Sequence, residues 1–326
     1  MIDDQITGDL SLVSVASMTE DDARRTLMQC RWPTTGGRPV CPKCGHNDVN
    51  AIKVRSIFRC KRCRTDVSIT SGTIFAGSKV SAKDLILAAC IFVGGAKGVS
   101  GLQLSRYLRC QYKSSFVLAH KMREAMQRPN LGLGGVVQVD GCTIGGHRVA
   151  ENMTGVSGKR RYRKKYENRR IVVVAREPFG NTKAFVAKKE SESVAAITET
   201  LATGSVVHAD GSRGWNGFSR SFAMARVVHD EAYSQDGVHT NWAESYFAIL
   251  RKMHYGTHHQ ISARYLEAYA NELAWRQDNR ELKESDKVCL LLTLCLNTPP
   301  SRKWSRYWQR RSGQPKVQNA PAAVPA

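Results

Sequence analysis

The chain has 326 residues, 42% of them apolar and 24% charged, the balance of a globular protein with a buried core and not of a disordered one. Lysine and arginine outnumber aspartate and glutamate by 49 to 28, a net charge of +21, which points to a polyanionic partner, nucleic acid first and an anionic membrane surface second. The longest apolar run, Val288 to Leu296, is about half of the ~20 residues a spanning helix needs, and the acidic N-terminus has no apolar signal core. The expectation is a cytoplasmic protein that does not enter the membrane.

In chain order, residues 1–35 read as a polar lead-in with one short helix around Glu20–Gln29. Gly36, Gly37 and Pro39 break the chain before Cys41 and Cys44, and a second pair follows at Cys60 and Cys63. Four thiolates in two tight turns suit tetrahedral zinc, and Pro42 and Gly45 favour the knuckle that aims two sulfurs at one metal. Every ligand position is filled by protein, so the segment 36–78 is expected to be a structural zinc ribbon. The alternative is a set of unrelated buried cysteines.

Residues 79–130 read as helical. Ser81 is a plausible N-cap, and Leu85, Ile86, Ala89, Cys90 and Val93 recur at helical spacing until Gly94, Gly95 and Gly98. Ser100 to Gln103 resembles a capping box opening a second helix to Leu108. A third runs from about Ser114 to Met126 and carries His120, Lys121 and Arg123, with Arg128 beyond it and Pro129 as its stop. Three helices of this size suit a helix-turn-helix, with Lys121 and Arg123 as expected DNA contacts in a major groove. A linker bundle with solvated charges is the alternative.

From Leu131 the pattern changes to short β segments, Val136–Asp140, Arg170–Ala175 and Lys183–Val186. A helix at Ser193–Leu201, a strand at Ser205–Asp210, a helix at Trp215–Phe222, a strand at Ala225–His229 and helices at Asn241–His254 and Ala263–Arg276 follow. This α/β unit is expected to span 131–285. Residues 286–326 are read as a C-terminal helix and a basic tail, loosely ordered from Pro299.

Asp140 and Asp210 each end a predicted strand and each precede a glycine. Two carboxylates at strand tips can hold Mg²⁺ or Mn²⁺ jointly for phosphodiester chemistry, whereas Asp-Gly taken alone is a turn. Asn241 and Glu244 lie on one helical face and can reach the same metal centre, although Asn-x-x-Glu is equally a capping box. Arg251 and Lys252 lie two turns on, suited to a nearby phosphate. The loop Lys159–Arg170 is strongly basic, and Lys159, Arg160, Arg161, Arg163, Lys164 and Lys165, interleaved with Tyr162 and Tyr166, are expected DNA contacts. The segment Arg302–Arg311 repeats the pattern and reads equally as a DNA contact or as a packed or disordered tail. His258 and His259 carry no assigned role.

Taken together, CPKCG and FRCKRC, SITSGTIF, VDGCTIGG, HTNWAESYFAILRK, YGTHHQIS and EAYANELAWRQDNR resemble bacterial insertion-sequence transposases of the ISXO-like type, from about Cys41 to Arg280. The resemblance implies a multidomain α/β protein with a zinc ribbon, a helix-turn-helix-like DNA-binding segment and an RNase H-like mixed-sheet catalytic domain. It implies Asp140 and Asp210 as the first two acids, Asn241 as the third member with Glu244 as its rival, and Lys252 as the downstream basic residue. The family often has an acidic residue directly after the first Asp, where this chain has Gly141. The implied cofactors are structural zinc and catalytic Mg²⁺ or Mn²⁺. The implied partners are double-stranded DNA, as transposon ends and as target, and further copies of the chain assembled on it, with neither a membrane nor a small-molecule substrate. The expected activity is two-metal cleavage and strand transfer in bacterial, nucleoid-associated DNA. The rivals are a regulatory or catalytically decayed zinc-ribbon DNA-binding protein, and a nuclease that cuts without joining.

Overall fold

The computed structural model describes residues 9–52, 56–145, 148–150, 162–164, 169–227 and 238–312. Two helices come first, α1 (Leu12–Ser17) and α2 (Glu20–Arg31). The second starts in a capping box between Thr19 and Asp22 and has three acids in its first turn, which complement the helix dipole. The first was not legible in the polar lead-in. Strands β1 (Val49–Ile52), β2 (Ile57–Cys60) and β3 (Asp66–Val67) then form a small antiparallel sheet beside the cysteines.

Helices α3 (Ala82–Gly94), α4 (Gly101–Tyr107) and α5 (Tyr112–Ala125) follow, joined as a helix-turn-helix-like segment. The expected caps form: the Ser81 hydroxyl accepts from the Asp84 N–H and the Ser100 hydroxyl from the Gln103 N–H.

The α/β unit is built on strands β4 (Val136–Ile144), β7 (Arg170–Arg176), β8 (Thr182–Ala187), β9 (Val206–Asp210) and β10 (Ala223–Val227), with a hairpin β5 (Arg148–Ala150) and β6 (Tyr162–Lys164) between β4 and β7. The sheet order is β10-β9-β4-β7-β8, with β4, β7 and β8 an antiparallel meander and β9 and β10 parallel to β4. That mixed order is the RNase H-like arrangement. Helix α6 (Val194–Thr198) lies before β9, and α7 (Asn241–Lys252) and α8 (Leu266–Asp278) follow the sheet. Val172 and Val174 of β7 pack toward α7 and α8, while Val173 and Ala175 pack on the other face with Trp215 and Phe218. A strand covered on both faces reads as an unbroken apolar run, as Ile171–Ala175 does.

Two sequence expectations change here. The helix expected over Trp215–Phe222 is a 3₁₀ turn over Arg213–Arg220. The segment after Pro299, expected to be loose, folds back as far as α10 (Tyr307–Ser312): Trp304 and Tyr307 are buried, and His120 of α5 stacks on Trp304 at 4.2 Å between centroids. Its aromatic residues explain this, because they cover α5 where a purely basic tail would stay solvated.

Helix α9 (Glu284–Asn297) contains the longest apolar run and buries Val288, Leu291, Leu292, Cys295 and Leu296 in one core with residues of α1, α2, α3 and α5. Helices that precede the cysteines therefore share a core with one that follows the sheet unit. Among the described residues no helix is long and apolar enough to cross a membrane.

A buried ion cluster fastens this helical body to the sheet unit. Glu272 of α8, fully buried, accepts from Arg123 Nε at 2.6 Å and from Arg276 Nε at 3.0 Å, and Arg276 also donates to the Val93 carbonyl at the end of α3 at 2.9 Å. Burial would raise the Glu272 carboxyl, but the two guanidinium groups outweigh it and hold the group below the usual carboxylate range. Removing one member leaves buried charge uncompensated, so Glu272→Ala is expected to lose about 3–5 kcal/mol of stability. Urea unfolding measures it, and a loss below about 1 kcal/mol would show that the cluster is not a fastening.

Candidate active site and metal centre

The parallel register pairs Val139 of β4 with Ala209 of β9, so Asp140 and Asp210 are the next residues on neighbouring strands. Asp210 ends β9, as expected. Asp140 does not end its strand: β4 continues to Ile144, and Gly141 pairs with Val173 of β7. The alternative of an Asp-Gly turn after Asp140 therefore does not hold, and the carboxylate leaves the sheet mid-strand at the point where β9 stops beside it.

Both aspartates are oriented. The Asp210 Oδ1 accepts from the indole N–H of Trp215, itself fully buried, at 2.6 Å and from the Ser212 N–H at 3.1 Å. Asp140 Oδ1 accepts from the Gly141 N–H at 2.7 Å. The Asp140 carboxyl is pushed up to about 6, mainly by burial; the Gly141 N–H opposes this, and the carboxylates of Asp210, Glu244 and Glu190 reinforce it. Those interactions place four acids around one rim.

Helix α7 brings Glu244. Its N-cap is Thr240, whose side chain makes no capping bond, and the Asn241–Glu244 capping box does not form. Gln138, two residues before Asp140 and buried, takes over: its Oε1 accepts from the Trp242 N–H at 2.9 Å, and its Nε2 lies 2.9 Å from His239 Nδ1. Arg176 donates to the Trp242 carbonyl at 3.1 Å. The strand carrying Asp140 thus supplies the cap for the helix carrying Asn241 and Glu244, both exposed on its first turns. At the other end of α7, Arg251 and Lys252 are exposed, and Arg251 Nη2 reaches Cys142 Sγ on β4 at 3.3 Å.

Sequence reading missed Glu190. It starts a 3₁₀ turn after β8, accepts from the Ser212 hydroxyl at 2.7 Å, and lies against two glycines. A Cβ at Gly141 would come within 2.8 Å of Glu190 Oε1, and one at Gly214 within 2.9 Å of Oε2. Gly141 therefore makes room for a carboxylate from elsewhere in the chain. Its position after Asp140 was the one sequence signal available.

The four cysteines meet as expected. Cys41 and Cys63 sulfurs are 3.6 Å apart, as are those of Cys44 and Cys60, and all four lie within 4.8 Å of one another. Tetrahedral Zn–S bonds of about 2.3 Å require sulfur separations near about 3.8 Å, so the donor set fits zinc. Gly45, at φ 70°, donates its N–H to the Cys41 carbonyl and closes the first knuckle, and Arg64, at φ 55°, does the same for Cys60 in the second. Among the described residues this is the one group of three or more potential ligands so closely spaced; the carboxylates around Asp140 stand farther apart.

The DNA-contact expectations divide. Lys121 and Arg123 are corrected: both are buried, at 9% and 2% exposure, and Arg123 is held by Glu272. The charges of α5 read locally as a solvated or DNA-facing stripe, but Glu272 of α8 supplies the counter-charge of Arg123. Arg163 and Lys164 lie on β6, paired with Val149 and Arg148. Lys159, Arg160, Arg161 and Lys165 lie outside the described residues.

Comparison with known families gives two matches. Residues 132–278 match the ISXO2-like transposase domain, and residues 18–66 match the transposase zinc-ribbon domain. Together they cover more than half of the chain, in the order seen here. No curated protein matches the chain.

The raised Asp140 carboxyl carries a pH signature. A folded value of about 6 against an ordinary 3.8 means that the charged form is disfavoured by folding, so stability is fully present below 3.8 and falls as pH rises through about 6. In buffer without added divalent cation, Asp140→Asn is expected to gain up to about 3 kcal/mol at neutral pH and to lose that gain on acidification. Denaturant midpoints across pH measure it; a gain independent of pH would contradict the assignment.

Proposed function

Because the chain belongs to the ISXO2-like transposase family, we propose that it cuts DNA at the ends of an insertion sequence and joins those ends to target DNA. The observation that carries this reading is the register that sets Asp140 and Asp210 side by side at the end of a parallel strand pair, with Glu244 bearing on Asp140.

In this reading Asp140 and Asp210 hold divalent cations, Mg²⁺ or Mn²⁺, and Glu244 or Asn241 completes the ligand set. Bound cations would supply an activated water and neutralise charge on the phosphodiester. Trp215 keeps the Asp210 carboxylate aimed at the site, and Gln138 and Arg176 keep the first turn of α7 in place. Arg251 and Lys252 attract the DNA phosphates to this edge. Hydrolysis at the end of the element frees a 3′-OH, and in-line attack of that 3′-OH on target DNA joins the two without a covalent enzyme intermediate. A neutral asparagine binds a hard cation more weakly than a carboxylate, so Glu244 is assigned the larger share of metal affinity.

The zinc ribbon and the helix-turn-helix-like segment are assigned to duplex binding at the terminal repeats, in the cytoplasm where the nucleoid lies. Joining two ends requires both in one complex, so the chain is expected to act as an oligomer on DNA.

Purified wild type and Asp210→Asn, given donor ends from the DNA flanking the gene, test the reading. Wild type is expected to yield Mg²⁺-dependent cleaved and joined products, and the variant to bind the ends without cutting. Glu244→Gln is expected to need more Mg²⁺ for the same rate. Binding without cutting by wild type would sink the enzymatic reading, and shortened products alone would reduce it to a nuclease.

A further inference from the structure

Helix α5 is divided along its length. Its C-terminal half is buried from Leu118 to Arg123, while Gln111, Tyr112, Lys113 and Ser114 at its start are exposed. The preceding helix exposes a matching face, with Leu102 at 50% and Tyr107 at 61% and with Gln103 and Arg106 also exposed. Large apolar side chains open to solvent on two short, well-fastened helices mark a binding surface more often than a solvated one. The fastening is close: the Ser115 hydroxyl donates to the Gly101 carbonyl at 2.7 Å, and a Cβ at Gly101 would meet the Tyr112 ring at 3.2 Å.

Beside this tip lies a cleft of about 810 Å³. One wall carries Arg106, Tyr107 and Tyr112, the other His259 and Gln260, and among the described residues no carboxylate lines it. The second wall begins at Thr257, at the end of the π-turn that directly extends α7. The surface therefore runs from the start of α5 to the helix that carries Asn241 and Glu244.

We propose that the exposed start of α5, with the outer face of α4, reads the base edges of duplex DNA, and that the cleft beside it receives the backbone of the bound strand. In helix-turn-helix proteins the first residues of the second helix reach the bases, and here those are the residues left open. Gln111 supplies a side-chain amide that can bond a base edge in two places, and Lys113 and Arg106 supply phosphate or guanine contacts. Exposed tyrosines give stacking and sugar contacts, and walls free of carboxylates suit a polyanion. This inference rests on the end-binding reading above and names the surface that performs it. The two are joined mechanically, because Arg123, at the far end of the same α5, is gripped by Glu272 of α8. Reading and cutting then belong to one rigid unit.

Fluorescence anisotropy of the full-length protein tests this, with a labelled duplex of the outermost base pairs of the element and a scrambled duplex of the same length. The variants are Gln111→Ala with Lys113→Ala, and separately Arg106→Ala, all at exposed positions. Each is expected to weaken end binding about tenfold or more and to narrow the preference over the scrambled duplex, with a shallower salt dependence for each cation removed. Lys283→Ala, which removes one charge at the exposed start of α9, is expected to leave the preference intact. Full wild-type preference in both tip variants, with unchanged melting temperatures, would overturn the proposal while leaving end binding in place. Absence of any preference in the wild type would overturn the end-binding reading and this surface with it.

Discussion

Like-charged carboxylates crowd one half-buried rim, and the neighbouring structure is arranged to keep them there. Asp140 leaves a strand interior where burial raises it to about 6, and the carboxylates of Asp210, Glu244 and Glu190 add to that rise. Left to itself such a rim would relax by turning carboxylates into solvent. Trp215 and the Ser212 N–H restrain Asp210, the Ser212 hydroxyl restrains Glu190, and Gln138 restrains the helix of Glu244. Groups held against their own repulsion are pre-organised for multivalent cations, which convert the repulsion into binding.

The same logic governs the join between the two halves of the molecule. Glu272 is fully buried, which is tolerable only because two arginines from different elements meet it. One of them comes from α5 and the other bonds back to α3. A buried charge cluster of this kind is directional, so it sets how the helix-turn-helix-like segment lies on the sheet unit. The shared apolar core of α2, α3, α5 and α9 holds the helical body together but carries less orientational information.

Much of the fold was legible in the sequence where local pattern and tertiary role coincide. The cysteine knuckles, the caps at Ser81 and Ser100, and most of the strands and helices after Leu131 follow from spacing and residue type. The departures arise where tertiary context overrides local chemistry. Asp140-Gly141 has the composition of a turn, yet β7 pairs across it and keeps it in a strand. Arg123 looks like a surface charge because its partner, Glu272 of α8, is far away in sequence. Glu190 was missed for the same reason: its neighbours Gly141, Ser212 and Gly214 come from β4 and from the turn after β9. Thr240 could not be told from Asn241 as the cap of α7, because the capping group is the side chain of Gln138 on another element.

Cation binding at the rim is the central claim, and calorimetric titration of Mn²⁺ into the zinc-loaded protein, in buffers of different ionisation heat, tests it most directly. A cation that displaces the proton from Asp140 is expected to release about one proton per site near pH 5 and almost none near pH 8, with binding lost in Asp210→Asn. Binding without proton release near pH 5, or binding unaffected by Asp210→Asn, would contradict the assignment of this rim as the metal site.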